Sequence, residues 1–470
     1  MELTEKGALD LSAMLERREI GAAELMQATL DRIAAVNPAV NAVVSLGDPD
    51  DLLAAARKAD DTPRQGWLHG IPMAVKDLAN VAGFPTSFGS PAMPTAPAKS
   101  DDLMVARMRA AGAVFIGKTN TPEFGLGSHT FNPVHGTTLN PYDAGRSAGG
   151  SSGGAAAALA AGMVSVADGS DMMGSLRNPA GWNNVYGMRP SWGRVPGEPL
   201  GEMFLHPLAT SGPMARNPRD LAALLDVQAG PDPRQPFCLP QESFLDRIAA
   251  QVGGRRIGWL GDWGGAYEME PGILELSGRA ARVFEDLGAI VEPVAPPIEA
   301  AQLWEAWLGL RAFANAGRLD PLYQNPATRA RLKPDAVWEI ETGRALTAPE
   351  IQRLSLIRSE WYRRAAALFD SYDALVLPSA QVWPFPADWE RPHRINDTEM
   401  DTYHRWMEVV VPVSLIGLPC VNLPAGFGAN GLPGGVQLFG RHGNDLGLLQ
   451  LAEAYHQATD WPGKRPPPLS

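Results

Sequence analysis

Gly149-Gly150-Ser151-Ser152-Gly153-Gly154 opens a run that continues through the small-residue segment Ala155 to Gly162. It closes on Gly169-Ser170-Asp171-Met172-Met173-Gly174-Ser175-Leu176-Arg177-Asn178-Pro179-Ala180. Ala155 to Leu159 has no polar face, so as a helix it must be buried on every side. The glycines flanking it let the backbone take positive φ or approach another group closely. Two serine-bearing turns joined by a buried helix can gather a hydroxyl and several N–H groups around one point, as acyl transfer requires. Read alone, the same turns need do no more than flank a core helix.

Outward from this run, helical and strand patterns alternate. Leu9, Leu11, Leu15, Ile20, Leu25, Leu30, Ile33 and Val36 recur at helical spacing with a break near Gly21-Ala22, predicting two amphipathic helices over 8–37. Further helices are expected over 50–60 and 101–111. His69 to Asp77 reads as a strand ending in the charged pair Lys76-Asp77, and 113–116 as a buried strand. Strand-like runs follow at 164–167, 256–260, 289–294, 374–377 and 435–439. The alternation predicts an α/β fold, a single large domain with a mixed sheet covered by helices on both faces. The stretch 230–370 reads as irregular.

Composition bounds the function. Hydrophobic residues make up 45% of the 470 and charged ones 20%, the balance of a globular chain. A net charge of −12 argues against nucleic acid or an anionic membrane as partner, since both select a basic face. Two cysteines, Cys238 and Cys420, make no disulfide framework and fit a reducing compartment. No signal-peptide pattern opens the chain, and no apolar run reaches the ~20 residues of a spanning helix. A cytoplasmic location is expected. No clustered His, Cys and carboxylates stand at metal spacing, so neither metal nor cofactor is implied.

Two short motifs match by chance. Gly112 to Thr119 fits G-x-x-x-x-G-K-[ST], but its apolar strand lies inside the motif, where a P-loop needs the strand before it and a helix opening at the lysine. Gly150 to Gly154 fits the nucleophile elbow centred on Ser152, which requires a downstream His base. His393, His404, His442 and His456 follow, yet no flanking pattern singles one out.

At this point the residues carry a resemblance. Gly70-Ile71-Pro72 with Val75-Lys76-Asp77, Gly117-Lys118-Thr119-Asn120 with Pro122-Glu123-Phe124, the two serine turns, and the closing pieces Gly417-Leu418-Pro419, Pro424-Ala425-Gly426 and Gly431-Leu432-Pro433 through Gln437-Leu438 together resemble the amidase signature family. Their joint order, including the 24 residues from Ser151 to Ser175, covers almost the whole chain.

The resemblance implies a Ser–Ser–Lys triad: Ser175 as acylated nucleophile, Ser151 as bridging serine on a cis peptide, Lys76 as base. A lysine can take a proton only when neutral, so its pKa must fall from ~10.4 by burial or a nearby cation. The competing reading of Lys76 is an ion pair with Asp77 or another acid. An oxyanion hole is implied from backbone N–H groups of Met172, Met173, Gly174 and Ser175, with Ser152, Asp171 and Arg177 supporting the turn. The family pattern is G-S-D-T-G-G-S, and this chain has Met172-Met173 in place of Thr-Gly. A Met at 173 disfavours positive φ and is expected to narrow the acyl pocket with a flexible apolar wall, favouring slim acyl groups.

The implied layout is one amidase domain over 1–462: N-terminal helices 8–60, a signature core 66–215, a pocket-lining region about 230–395 and a C-terminal sheet segment 405–460. A disordered tail over 463–470 is expected. Trp304 and Trp307 share a helix face and are the candidate pocket residues beside Met173, although core packing explains such a pair more often. Acidic composition and 13 Trp point to an apolar rather than an acidic ligand. The implied activity is hydrolysis of a small-molecule amide to the acid and ammonia or an amine. The alternatives are an amidotransferase A-type subunit that passes ammonia to a partner, a serine esterase with a His base, and a binding protein on the same scaffold. A homodimer stands open beside a monomer.

Overall fold

The computed structural model describes residues 2–469. Its centre is a mixed sheet of eight strands, which run from one edge as Ile290–Pro293, Arg256–Trp259, Ala374–Pro378, Pro433–Phe439, Cys420–Phe427, Tyr186–Arg189, Thr210–Ala215 and Val166–Asp171. The first three are parallel and all later neighbours antiparallel. Successive side chains leave a strand on opposite faces, and the two faces carry different cores. Ala374 and Val376 join Leu221, Phe284 and Leu448 on one face. Leu375 and Leu377 join Leu303, Trp307 and Trp361 on the other. Helices therefore cover both faces, as the α/β pattern predicted.

The strand ending at Lys76 is not part of that sheet. Pro72–Lys76 pairs in parallel with Val114–Thr119, which pairs antiparallel with the short strand Val43–Val44. Lys118 therefore sits within a strand and no helix opens at it, which disposes of the P-loop match. The N-terminal helices form at Ala8–Glu16 and Ala22–Val40, broken at Gly21 as the sequence indicated.

Two expectations change. The stretch read as irregular holds the long helices Ala300–Gln324, Pro334–Ala345 and Ala348–Leu368. Ala300–Gln324 buries residues around most of its circumference, among them Leu303, Trp304, Ala306, Trp307, Leu310 and Arg311, so it lacks the single apolar stripe that reveals a helix in a sequence. Of the expected disordered tail, Ser470 lies outside the described residues, and the part over 463–469 lies against the body. Tyr142 Oη and Asn184 Nδ2 donate to the Arg465 carbonyl at 2.9 and 3.3 Å, and Leu469 packs against the cluster around Ala155–Leu159.

The helix Gly153–Ala160 is the pivot between the two sheets, and Ala155 to Leu159 are fully buried. Gly154 lets it come so close: a Cβ there would stand 2.3 Å from the Asn120 nitrogen and 2.7 Å from the Ala42 carbonyl oxygen, both main-chain atoms. Gly154→Ala is therefore expected to destabilise the protein by at least about 2 kcal/mol. Gly253→Ala, where an added Cβ meets nothing within 4 Å, serves as control in the same thermal melts.

Candidate active site

The two serine turns meet at the end of the strand Pro72–Lys76. The Lys76 main-chain N–H donates to Asp168 Oδ1 at 3.0 Å, which fixes the strand end against the neighbouring strand Val166–Asp171. Lys76 Nζ lies 2.8 Å from Ser151 Oγ and 2.8 Å from Ser152 Oγ. It also lies 3.2 Å from the Ser170 carbonyl oxygen and 3.1 Å from Ser170 Oγ. The Gly150–Ser151 peptide is cis.

No carboxylate touches Nζ among the described residues. Asp77 turns away and pairs with Lys118 at 3.8 Å while accepting from Ser87, so the ion pair between sequence neighbours does not form. Burial pushes the Lys76 pKa down to about 7, against the weaker opposing pull of Asp168 and Asp171. An ammonium has three hydrogens for these four neighbours. A neutral amine has two and a lone pair, and can accept the proton of a serine hydroxyl.

The second turn hangs on Asp171. Its Oδ1 accepts from the Gly174 N–H at 3.0 Å, Arg177 Nη2 at 3.0 Å and Arg189 Nη1 at 3.1 Å. Its Oδ2 accepts from the Leu176 N–H at 3.0 Å and Arg177 Nε at 3.1 Å. Burial alone would raise this carboxyl, but Arg177 and Arg189 hold it well below the usual carboxylate range. Arg177 then reaches Gln437 Oε1 at 2.6 Å and Ser414 Oγ at 2.6 Å, tying the turn to the central sheet. The Ser152 N–H donates to the Ser175 carbonyl at 3.3 Å and joins the two turns.

Ser175 is 6% exposed, and its hydroxyl makes no hydrogen bond to Ser151 or Lys76 among those of the described residues. The structure thus brings Lys76, Ser151 and Ser152 into direct contact and holds Ser175 beside them through its main chain.

The four expected oxyanion donors divide. The Gly174 N–H is taken by Asp171 and is not available. Those of Met172, Met173 and Ser175 meet no acceptor among the described residues. The left-handed residue of the turn is Gly174, at φ 81°, and not Met173, so the methionine carries no such strain. Val410 closes on the turn, with its methyl carbons 3.0 Å from where a Gly174 Cβ would be.

Met173, Trp304 and Trp307 lie together in one apolar core with Trp182 and Trp406, where the two helical tryptophans are buried rather than set at an open cavity wall. Both tryptophans stand on that one helix, and their indole N–H groups meet no acceptor among the described residues.

None of His393, His404, His442 and His456 bonds a serine of the turns among the described hydrogen bonds. His404 is fully buried against Trp304, His442 meets the Trp192 carbonyl, and His456 meets Tyr186 Oη.

Sequence reasoning missed Arg189, Asp168, Ser170 and Gln437. Arg189 had a signal, since a lone arginine ends the strand Tyr186–Arg189 and a charge there needs a buried partner. Ser170 and Gln437 stand inside the quoted motifs, which assigned them no role, and the partner of Asp168 lies far along the chain.

With this geometry in place, similarity to known proteins gives the affiliation. The amidase family model matches residues 24–449. The chain belongs to the amidase signature family. It is 32% identical to an acylamidase of Rhodococcus erythropolis over 98% of this chain and 96% of that protein. It is 35% identical to the A-type subunit of the glutamyl-tRNA(Gln) amidotransferase of Chloroflexus aurantiacus over 97% and 96%. The crystal structure of a bacterial aryl acylamidase of the amidase signature family superposes with a TM-score of 0.90 at 31% identity, covering 98% of this chain and 99% of that one. This amidase is an enzyme, an amidohydrolase acting on C–N amide bonds.

Because Asp171 is the carboxylate paired with both buried guanidinium groups, Asp171→Asn leaves neither with a counter-charge. Such a loss costs about 3–5 kcal/mol, to be read as a lower urea midpoint at unchanged slope. A midpoint within error of the parent would show that the turn does not depend on this carboxylate.

Proposed function

We propose that this amidase hydrolyses a carboxylic acid amide to the acid and ammonia or an amine through an acyl-enzyme on Ser175. Lys76 acts as base through Ser151. The observation that carries the reading is the buried Lys76 Nζ, 2.8 Å from Ser151 Oγ, with burial drawing its pKa to about 7. A lysine poised there is neutral often enough at neutral pH to receive a proton and acidic enough to return it.

Ser151 gives its hydroxyl proton to Lys76 Nζ as it takes the proton of Ser175, and Ser175 Oγ attacks the substrate carbonyl carbon. Negative charge gathers on the carbonyl oxygen, where the N–H groups of Met172, Met173 and Ser175 stabilise it. The proton returns through Ser151 to the substrate nitrogen, the C–N bond breaks and the amine leaves. Water repeats the route on the ester, and Ser175 recovers its proton as the acid departs.

Similarity to an amidotransferase A-type subunit favours a second reading, in which the same site releases ammonia to a partner protein. Co-purification with partner subunits decides between them.

Ser175→Ala is expected to abolish both fluorophosphonate labelling and amide turnover with the fold intact. Lys76→Ala is expected to cost several orders of magnitude in kcat, as loss of a triad member does elsewhere. In the parent, kcat/KM rises with pH through about 7, as Lys76 loses its proton. Labelling that persists on Ser152, or a folded but inactive His404→Ala or His442→Ala enzyme, overturns the assignment.

A further inference from the structure

Asp168 is a buried acid that the amide chemistry above leaves without a role. It lies within the strand Val166–Asp171 and is 1% exposed. The strand Pro72–Lys76 is the edge of its three-stranded sheet, bonded to Val114–Thr119 on one side only. The main-chain N–H of Asp77 donates to the Thr119 carbonyl across that pairing, so the N–H of Lys76 points the other way, where no strand follows. Asp168 Oδ1 accepts it at 3.0 Å, and a buried donor that would otherwise go unmet is satisfied.

An amide oxygen would serve that N–H equally, and a carboxamide costs less to bury than a carboxylate. The negative charge therefore acts on something else. Burial raises the Asp168 carboxyl to about 6, and the cations that oppose the rise are Lys118 and Lys76. Lys118 has a nearer acid in Asp77 at 3.8 Å, and its Nζ also donates to Thr86 Oγ1 at 3.2 Å. Lys76 Nζ touches hydroxyls and a carbonyl only.

The other charges around Lys76 are engaged elsewhere. Asp171 pairs with Arg177 and Arg189, and Asp77 faces Lys118 and His135. The helix Gly153–Ala160 brings no charged side chain. On the helix Ala22–Val40, which packs on the Lys76 strand, Glu24 and Asp31 are exposed and Arg32 donates to the Ala161 carbonyl at 2.9 Å. On the helix Pro218–Gln228, which packs on the Asp168 strand, Arg219 is exposed, Asp220 accepts from the Ala8 and Leu9 N–H groups, and Asp226 accepts from those of Phe244 and Leu245. Asp168 is the acid whose charge Lys76 feels most, ahead of Asp171.

We propose that Asp168 is a positioning residue for Lys76. It holds the end of the Lys76 strand through the main-chain N–H and sets one buried negative charge beside the amine, so that this acid fixes how far the pH must rise before the enzyme works. The inference rests on the reading of Lys76 as base given above. A nearby carboxylate favours the ammonium, so it holds the lysine up against desolvation, and its removal lets the amine lose its proton at lower pH.

Asp168→Asn keeps an oxygen for the Lys76 N–H and removes the charge. The acid limb of kcat/KM, which rises through about 7 in the parent, is expected to move down by about one pH unit. The value at pH 6, taken relative to that at pH 8, then rises about fivefold. Asp168→Ala is expected to show the same shift and, having lost the acceptor as well, a kcat at pH 8 lowered by about tenfold. The rate of fluorophosphonate labelling, which needs no amide, should follow the same limbs. A limb in folded Asp168→Asn or Asp168→Ala that stays where the parent has it, or moves up, overturns the proposal. A Lys76→Ala enzyme that labels and turns over at the parent rate instead strikes the reading of Lys76 as base, and this inference with it.

Discussion

The Asp171 carboxylate, fully buried between Arg177 and Arg189, accepts five hydrogen bonds and leaves the second serine turn no freedom to choose its shape. Two of those bonds come from main-chain N–H groups of the turn itself. The others come from side chains anchored elsewhere: Arg177 through Gln437 and Ser414, Arg189 through the Leu208 carbonyl. An anion in a dry interior needs this degree of pairing. The result is a turn whose geometry is set by the central sheet, so the main chain of Ser175 is rigid before any substrate arrives.

The electrostatics on either side of that turn are opposite in design. Around Asp171 every charge has an opposite charge at contact distance. Around Lys76 the terminal nitrogen touches only hydroxyls and a carbonyl, and Asp168 spends an oxygen on the main-chain N–H. Asp168 is itself pushed up to about 6 by burial, and its charge still opposes the fall of the lysine. Desolvation therefore wins at Lys76 and loses at Asp171, although the two lie on adjoining segments. Asp77 matters for the same reason, since its engagement with Lys118 and Ser87 removes the one acid that sequence adjacency would have offered.

Met172-Met173 fits into this frame without distorting it. The positive φ that the turn requires falls on Gly174, which is present, so the methionine costs nothing in backbone conformation. Its side chain instead joins the tryptophan-rich core under the helix Ala300–Gln324. Met172 accepts from Arg311 through its sulfur at 3.6 Å, which couples the turn to the same helix.

By itself the sequence determined the local pieces. Ala155 to Leu159 could only be a buried helix, the break at Gly21 could only split two helices, and the alternating runs could only stack as α/β layers, because period and burial follow from residue order. Family likeness then pointed to Lys76, Ser151 and Ser175 together. Tertiary structure decided what depends on distant partners. It separated the Lys76 strand from the main sheet and gave the Gly174 N–H to Asp171. It recruited Arg189 as a second cation and buried Trp304 and Trp307. The extent of the helix Ala300–Gln324 was hidden for a related reason, since a segment buried on most sides shows no stripe. The physical cause is common to all of these: periodicity is written in neighbours along the chain, whereas the pairing of a buried charge is settled only when segments hundreds of residues apart are packed against it.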